Sequence, residues 1–298
     1  MTTLLFPHSD NEIANLATNL GTVEQVDIVD GFPAIEINHP NCTASISLYG
    51  GQVLNWQPVN EQEVFWLSDT SLYQQGKAIR GGIPLCWPWF GPLDGANQHG
   101  FAREVLWHLD SVDVTTAGVT VEISWQGEAM DKLWPYSAKL QQRLFFGKTF
   151  EQSLSMTNLS DNTIEYTGAL HSYFKVSSPD NVTVPLLDEV NFYDKLADQQ
   201  VSGLTRENCQ GPIDTVYHTS IPQQLIDKGF GRIINIVNEN TQQWVLWNPG
   251  IDTAAQMADV HQGGEQEYVC LEAANTTWQK IPAKQTAVIK QTITILPL

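Results

Sequence analysis

Positive charge is scarce in this 298-residue chain: 15 Lys and Arg stand against 33 Asp and Glu, giving a formal charge of -18. Nucleic acid and anionic lipid both require a basic surface, so broad contact with either is excluded. Cysteine is scarcer still. Cys42, Cys86, Cys209 and Cys270 are widely spread, with no Cys-x-x-Cys and no zinc-type spacing. A secreted disulfide scaffold would be smaller and denser in cysteine. No apolar run approaches the roughly 20 residues of a membrane span. The segment Met1 to His8 has neither a basic n-region nor an apolar h-region. A cytoplasmic protein is expected. His-x-His, His-Glu-x-x-His, Gly-x-Ser-x-Gly and a Gly-rich phosphate loop ending in Lys-Ser/Thr are all missing. What the chain does have is apolar mass: 42% of residues are hydrophobic and ten are Trp. That is enough for a sizeable core and excludes disorder for the bulk of the chain.

The pattern of that apolar mass has period two. Val119, Val121, Ile123 and Trp125 alternate with polar residues, as do Ile289, Ile293 and Ile295. Leu144 and Phe146, then Leu154 and Met156, flank Gly147-Lys148, which reads as a hairpin turn. Further strands are expected at 44–48, 164–176, 233–237, 244–247 and 268–271. One helix is read near the start: Ser9 and Glu12 have capping-box spacing, Ile13, Leu16, Ala17 and Leu20 follow at helical intervals, and Gly21 stops it. No alternation of strand and helix supports a doubly wound fold. The expectation is one all-β domain over 1–298, with 1–22 as a helical extension. Two long Gly-, Pro-, Asn- and Asp-rich loop regions, 68–104 and 177–230, are expected to carry function.

Within the first loop region, Ile79 to Pro92 places one cation, three aromatics and backbone-shaping Gly and Pro in fourteen residues. Aromatic faces beside polar donors suit a sugar; alternatively, the Trp residues plug the end of the sandwich. Gln98-His99-Gly100-Phe101-Ala102-Arg103 follows. Of five arginines (Arg80, Arg103, Arg143, Arg206, Arg232), two lie in these loops. Together they would form a positive spot matched to phosphate or carboxylate; alternatively, each pairs with an abundant acid. On the strand Leu170 to Val176, Leu170, Phe174 and Val176 share one face while His171 and Tyr173 take the other. In Tyr268 to Ala274, Cys270 and Glu272 lie opposite Val269, Leu271 and Ala273. A carboxylate in so apolar a strand is costly unless paired. His171 and Glu272 together offer an acid and a base, the minimum for proton-transfer chemistry.

The blocks Arg80-Gly81-Gly82-Ile83-Pro84 through Trp87-Pro88-Trp89-Phe90-Gly91-Pro92, His99-Gly100-Phe101-Ala102-Arg103, Leu170-His171-Ser172-Tyr173-Phe174, Trp247-Asn248-Pro249-Gly250 and Val269-Cys270-Leu271-Glu272 resemble, in order and spacing, the hexose-6-phosphate mutarotases. These form the glucose-6-phosphate 1-epimerase branch of the aldose 1-epimerase (galactose mutarotase-like) superfamily. The resemblance covers roughly residues 25–295. It implies a large antiparallel β-sandwich with the site on a concave sheet face. It further implies His171 and Glu272 as catalytic residues, with Arg80, Gln98, Arg103 and Asp214 contacting substrate and His99 beside them. One departure stands out: Thr215 follows Asp214 where many members carry a basic residue, which weakens the case for a second phosphate contact.

The implied activity is interconversion of the α and β anomers of a hexose 6-phosphate, with Glu272 as base, His171 as acid, and neither metal nor organic cofactor. Nearby carboxylates are expected to keep His171 protonated. The expected partner is a small sugar phosphate, without nucleic acid or membrane, and a monomer is favoured. Three rivals stay open: an epimerase of unphosphorylated aldoses, a carbohydrate-binding sandwich without catalysis, and a glycoside hydrolase, which would need two carboxylates.

Overall fold

A computed structural model describes residues 2–5, as backbone, and residues 16–298. Among the described residues the chain forms three antiparallel sheets. The nine-stranded sheet runs, in spatial order, Thr2–Leu5, His108–Val114, Gly118–Glu128, Ser137–Gly147, Thr149–Asn158, Thr286–Pro297, Arg232–Glu239, Gln223–Asp227 and Val182–Thr183. The eight-stranded sheet runs Gln199–Val201, Phe192–Asp194, Ile213–Tyr217, Gln243–Asn248, Tyr268–Ile281, Ile164–Leu170 and Leu85–Cys86, with Tyr173–Lys175 also on Tyr268–Ile281. Five strands between Leu16 and Pro58 make the third sheet, in chain order.

Alternation explains how the sheets stack. Val119, Val121 and Ile123 point inward with Leu140, Leu144, Ile289 and Ile293, and all are at most 2% exposed. From the facing sheet, Leu170, Phe174, Val269, Leu271 and Ala273 enter the same core cluster. Removing these side chains from water is the main force joining the layers. The predicted hairpin at Gly147-Lys148 is present, with Phe146 opposite Phe150.

Two local expectations differ from the structure. Leu16–Thr18 is a strand paired with residues 21–23, not the end of a helix. The earlier part of that predicted helix, 9–15, lies outside the described residues. Region 177–230 is not a plain loop: it holds five short strands, and Ile213–Tyr217 and Phe192–Asp194 build the sheet that carries the site. Strands of two to five residues are too short to display a period.

Three buried glutamines interrupt the apolar core. Gln142 Nε2 donates to Gly51 O (2.5 Å), Gln152 Nε2 to Gln142 Oε1 (2.7 Å) and Gln291 Nε2 to Gln152 Oε1 (2.7 Å). Gln291 also donates to Ser172 Oγ at 3.2 Å. Each amide satisfies the next, as buried polar groups must. The ladder ends directly behind His171.

Candidate active site

The expected continuous strand 164–176 is broken at His171 and Ser172. The His171 N–H donates to Pro84 O (3.1 Å) and the Tyr173 N–H to Gly82 O (2.9 Å), so the Gly81–Pro84 loop replaces a neighbouring strand. Gly81 and Gly82 make that approach possible. Both have positive φ (114° and 59°), and a Cβ would meet Trp66 O at 2.4 Å or Val53 O at 2.0 Å. Across the break the register holds: Leu170 lies opposite Ala273 and Tyr173 opposite Cys270. His171 is therefore opposite Glu272, and its Nε2 is 3.3 Å from Glu272 Oε1.

This pair lines a cavity of about 160 Å³ on the sheet face turned away from the main core. All seven residues singled out from sequence line that cavity: Arg80, Gln98, His99, Arg103, His171, Asp214 and Glu272. Other lining residues were not assigned to the site from sequence, namely Phe90, Tyr173, Lys195, Val245, Trp247 and Met257. Cross-strand pairing explains several of them. Asp214 is opposite Trp247, Trp247 opposite Cys270, and Val245 opposite Glu272, so alternate residues of three strands share one face. Tyr173 was legible, since it shares the face of His171. Lys195 follows a three-residue strand and gave no periodic signal.

Trp87 and Trp89 do not form a sugar platform. They are 0% and 2% exposed in the main core, and Trp87 meets Trp134 edge-on at 4.7 Å. The plug reading holds for both, and from that segment Phe90 is the aromatic that reaches the cavity.

The polar groups are held from behind. Arg80 donates from Nε and Nη2 to Asp259 Oδ2 (3.0 and 2.9 Å) and from Nη1 to Tyr173 Oη (2.8 Å). Arg103 donates from Nη2 to Gln98 O at 2.7 Å, while its buried Nε has no partner among the described residues. His99 Nδ1 accepts the Gly91 N–H (3.0 Å), which leaves the proton on Nε2. Burial first, then Arg103 and His171, hold His99 well below the usual imidazole range, so it is a neutral donor facing the cavity. Lys195 Nζ pairs with Asp214 Oδ2 at 2.9 Å. Thr215, in contrast, is 1% exposed on the opposite face and is 3.3 Å from Leu246 O. A basic residue at that position would point away from the cavity, so its absence removes nothing from the site.

The charge state of the central pair differs from expectation. Burial pushes the Glu272 carboxyl well above the usual carboxylate range; Lys195 and Arg103 oppose that push and Asp214 adds to it. Burial likewise holds His171 well below the usual imidazole range, and Arg103, Arg80 and Lys195 act in the same direction. Burial, reinforced by these cations, overrides the expectation that nearby carboxylates keep His171 protonated. His171 is 7% exposed and Glu272 1%, and His171 Nδ1 and Glu272 Oε2 have no partner among the described residues. Such a pair, desolvated and only partly satisfied, is costly to folding and marks a candidate site for a reacting molecule. Cys270 also lies close enough that it, His171 and Glu272 could together approach a metal ion. Burial keeps its thiol protonated, well above the usual range.

The aldose 1-epimerase family pattern matches residues 33–295. A relative from Escherichia coli K12, provisionally named glucose-6-phosphate 1-epimerase, is 35% identical over 290 residues, spanning 93% of this chain and 97% of its own. The crystal structure of YeaD from Salmonella typhimurium, provisionally titled a mutarotase, superposes with a TM-score of 0.87 at 32% identity, covering 96% of this chain and 97% of that one. A galactose mutarotase-like protein from Clostridium acetobutylicum shares the fold at a TM-score of 0.75 and 13% identity, over 94% and 100% of the two chains. An all-β fold of this type, a family pattern across most of the chain and a relative at 35% identity lead to one conclusion: the chain belongs to the aldose 1-epimerase family.

Proposed function

We propose that the protein interconverts the α and β anomers of hexose 6-phosphates, with glucose 6-phosphate as the leading substrate. The observation that carries this reading is the buried His171–Glu272 pair, 3.3 Å apart, in a cavity also lined by Arg80, Arg103 and Lys195. Ring opening removes the proton from the C1 hydroxyl, breaks the C1–O5 bond and places a proton on O5. Rotation about C1–C2 and closure in the reverse sense give the other anomer. One base and one acid suffice, and they exchange roles on closure. Burial disfavours charge on both members, so the pair carries a single proton. Moving that proton from Glu272 to His171 turns the resting neutral pair into carboxylate base and imidazolium acid. A phosphate dianion near the three cations offsets their field and favours that form. Phosphate would therefore assist the chemistry as well as anchor the sugar.

Anomer exchange followed by NMR on glucose 6-phosphate, with glucose and galactose alongside, tests the reading against the spontaneous rate. Arg80→Ala and Arg103→Ala should each lose about 1.5–3 kcal/mol of interaction with glucose 6-phosphate, the scale of a charge-assisted hydrogen bond, and much less with glucose. Equal use of glucose and glucose 6-phosphate by the wild type would replace the reading with an epimerase of unphosphorylated aldoses.

A further inference from the structure

Lys195 is absent from every sequence block that marks the site, yet the fold delivers it there by a definite route. Tyr193 is opposite Val216 in the sheet, and the Lys195 N–H donates to Asp214 O at 2.9 Å, which carries the pairing one step past the strand end. By alternation Lys195 shares the face of Tyr193, and Asp214 that of Val216. Nζ then sits 2.9 Å from Asp214 Oδ2 and 5.8 Å from the centre of the Phe90 ring. Its side chain is 29% exposed. It lies at the cavity mouth, neither free in solvent nor sealed in the core.

The other two cations have prior commitments. Arg80 directs three nitrogens at Asp259 and Tyr173, and Arg103 places Nη2 on Gln98 O. Asp214 is the acid paired with Lys195, and an ammonium on a flexible stem turns more readily from a carboxylate to an incoming dianion than a braced guanidinium does. Lys195 also lies close enough to influence the charge of His171, His99 and Glu272.

We infer that Lys195 is a specificity-determining residue that binds the phosphate of the substrate, with Asp214 as the counter-ion that holds the ammonium in place until substrate arrives. This rests on the hexose-6-phosphate reading. The bland reading is an ion pair at the rim with no part in recognition.

The test compares Lys195→Met and Lys195→Arg with wild type in the full chain, using anomer-exchange kinetics on glucose 6-phosphate and on glucose. Lys195→Met keeps the aliphatic stem over Phe90. It should raise KM for glucose 6-phosphate about tenfold or more while changing KM for glucose far less. Lys195→Arg should recover most of that loss. Inhibition by inorganic phosphate should weaken in Lys195→Met to the same extent. If the wild type prefers glucose 6-phosphate and Lys195→Met keeps that preference, the assignment of Lys195 is overturned while the substrate reading stands. If the wild type shows no preference, both fall together. Equal losses on the two sugars would make Lys195 a structural residue of the rim and overturn the assignment.

Discussion

Tyr173 lies flat against His171, with ring centres 4.8 Å apart and planes 12° from parallel, while its hydroxyl accepts a hydrogen bond from Arg80 Nη1. One side chain therefore braces both the His171 imidazole and a cation of the site. Tyr173→Phe keeps the stack and loses the Arg80 contact, so KM for a sugar phosphate should rise a few-fold with kcat nearly intact. Tyr173→Leu removes the stack, and kcat should fall by up to about tenfold, the worth of one ring pair. Wild-type kcat in Tyr173→Leu would show that the imidazole is held by other means.

The pH dependence of kcat/KM should be a broad bell. This quantity reports the free enzyme, in which the Glu272 carboxyl is raised and the His171 imidazole lowered, both chiefly by burial. In the resting neutral pair the acid limb is the charging of the lowered His171 imidazole and the alkaline limb is the ionisation of the raised Glu272 carboxyl, so burial drives the two limbs apart. Because the pair titrates as a unit, the two limbs belong to both residues together. A narrow bell, with both limbs between the ordinary carboxylate and imidazole ranges, would contradict the burial-driven shifts.

Glu272→Gln should lose activity and gain stability. Its carboxyl is raised on folding, so the folded protein holds a proton that the unfolded chain releases above the ordinary carboxylate range. Stability falls as pH rises through that interval, and the amide escapes the loss. A gain of about 1–2 kcal/mol at neutral pH is expected, read from thermal or urea unfolding. Turnover should fall by roughly 10²–10⁴, as it should in His171→Asn, and the double variant should be little worse than the worse single one. Loss of stability in Glu272→Gln would assign the carboxylate a structural role.

Gln291→Leu tests the ladder behind the site. It strands the buried Gln152 carbonyl oxygen and leaves the Ser172 hydroxyl with only a 3.5 Å contact to Leu170 O, at a cost of about 1–3 kcal/mol. Because Ser172 sits at the strand break, kcat should fall while KM changes little. Unchanged kcat with the expected loss of stability would confine the ladder to folding.

The sequence showed the faces and not the register. Leu170, Phe174, Leu271 and Ala273 are apolar on one side of their strands, so the opposite side could be assigned to His171, Tyr173, Cys270 and Glu272. No local feature says that His171 and Glu272 face each other, because pairing depends on a strand about a hundred residues away. Gln142 sits between Leu140 and Leu144 at an inward position, a visible anomaly that marks the ladder. Lys195 was illegible for a physical reason: a strand of three residues gets its place from its neighbours, not from its own pattern. The end of the helix read over 9–20 illustrates the reverse error. Its last apolar residues fit helical spacing equally well in a strand that pairs with residues 21–23.

The cross-strand origin of the pair also makes the chain divisible in an informative way. His171 arrives with the strand Ile164–Leu170 and its continuation, Glu272 with Tyr268–Ile281, and more than ninety residues separate the two segments. A backbone cut in the exposed turn at Lys228-Gly229 would leave His171, the proposed acid, on one fragment and Glu272, the proposed base, on the other. Neither fragment alone could move a proton through the sugar ring. Recovered turnover on mixing would then measure, catalytically and without any label, how strongly two halves of a β-sheet recognise each other.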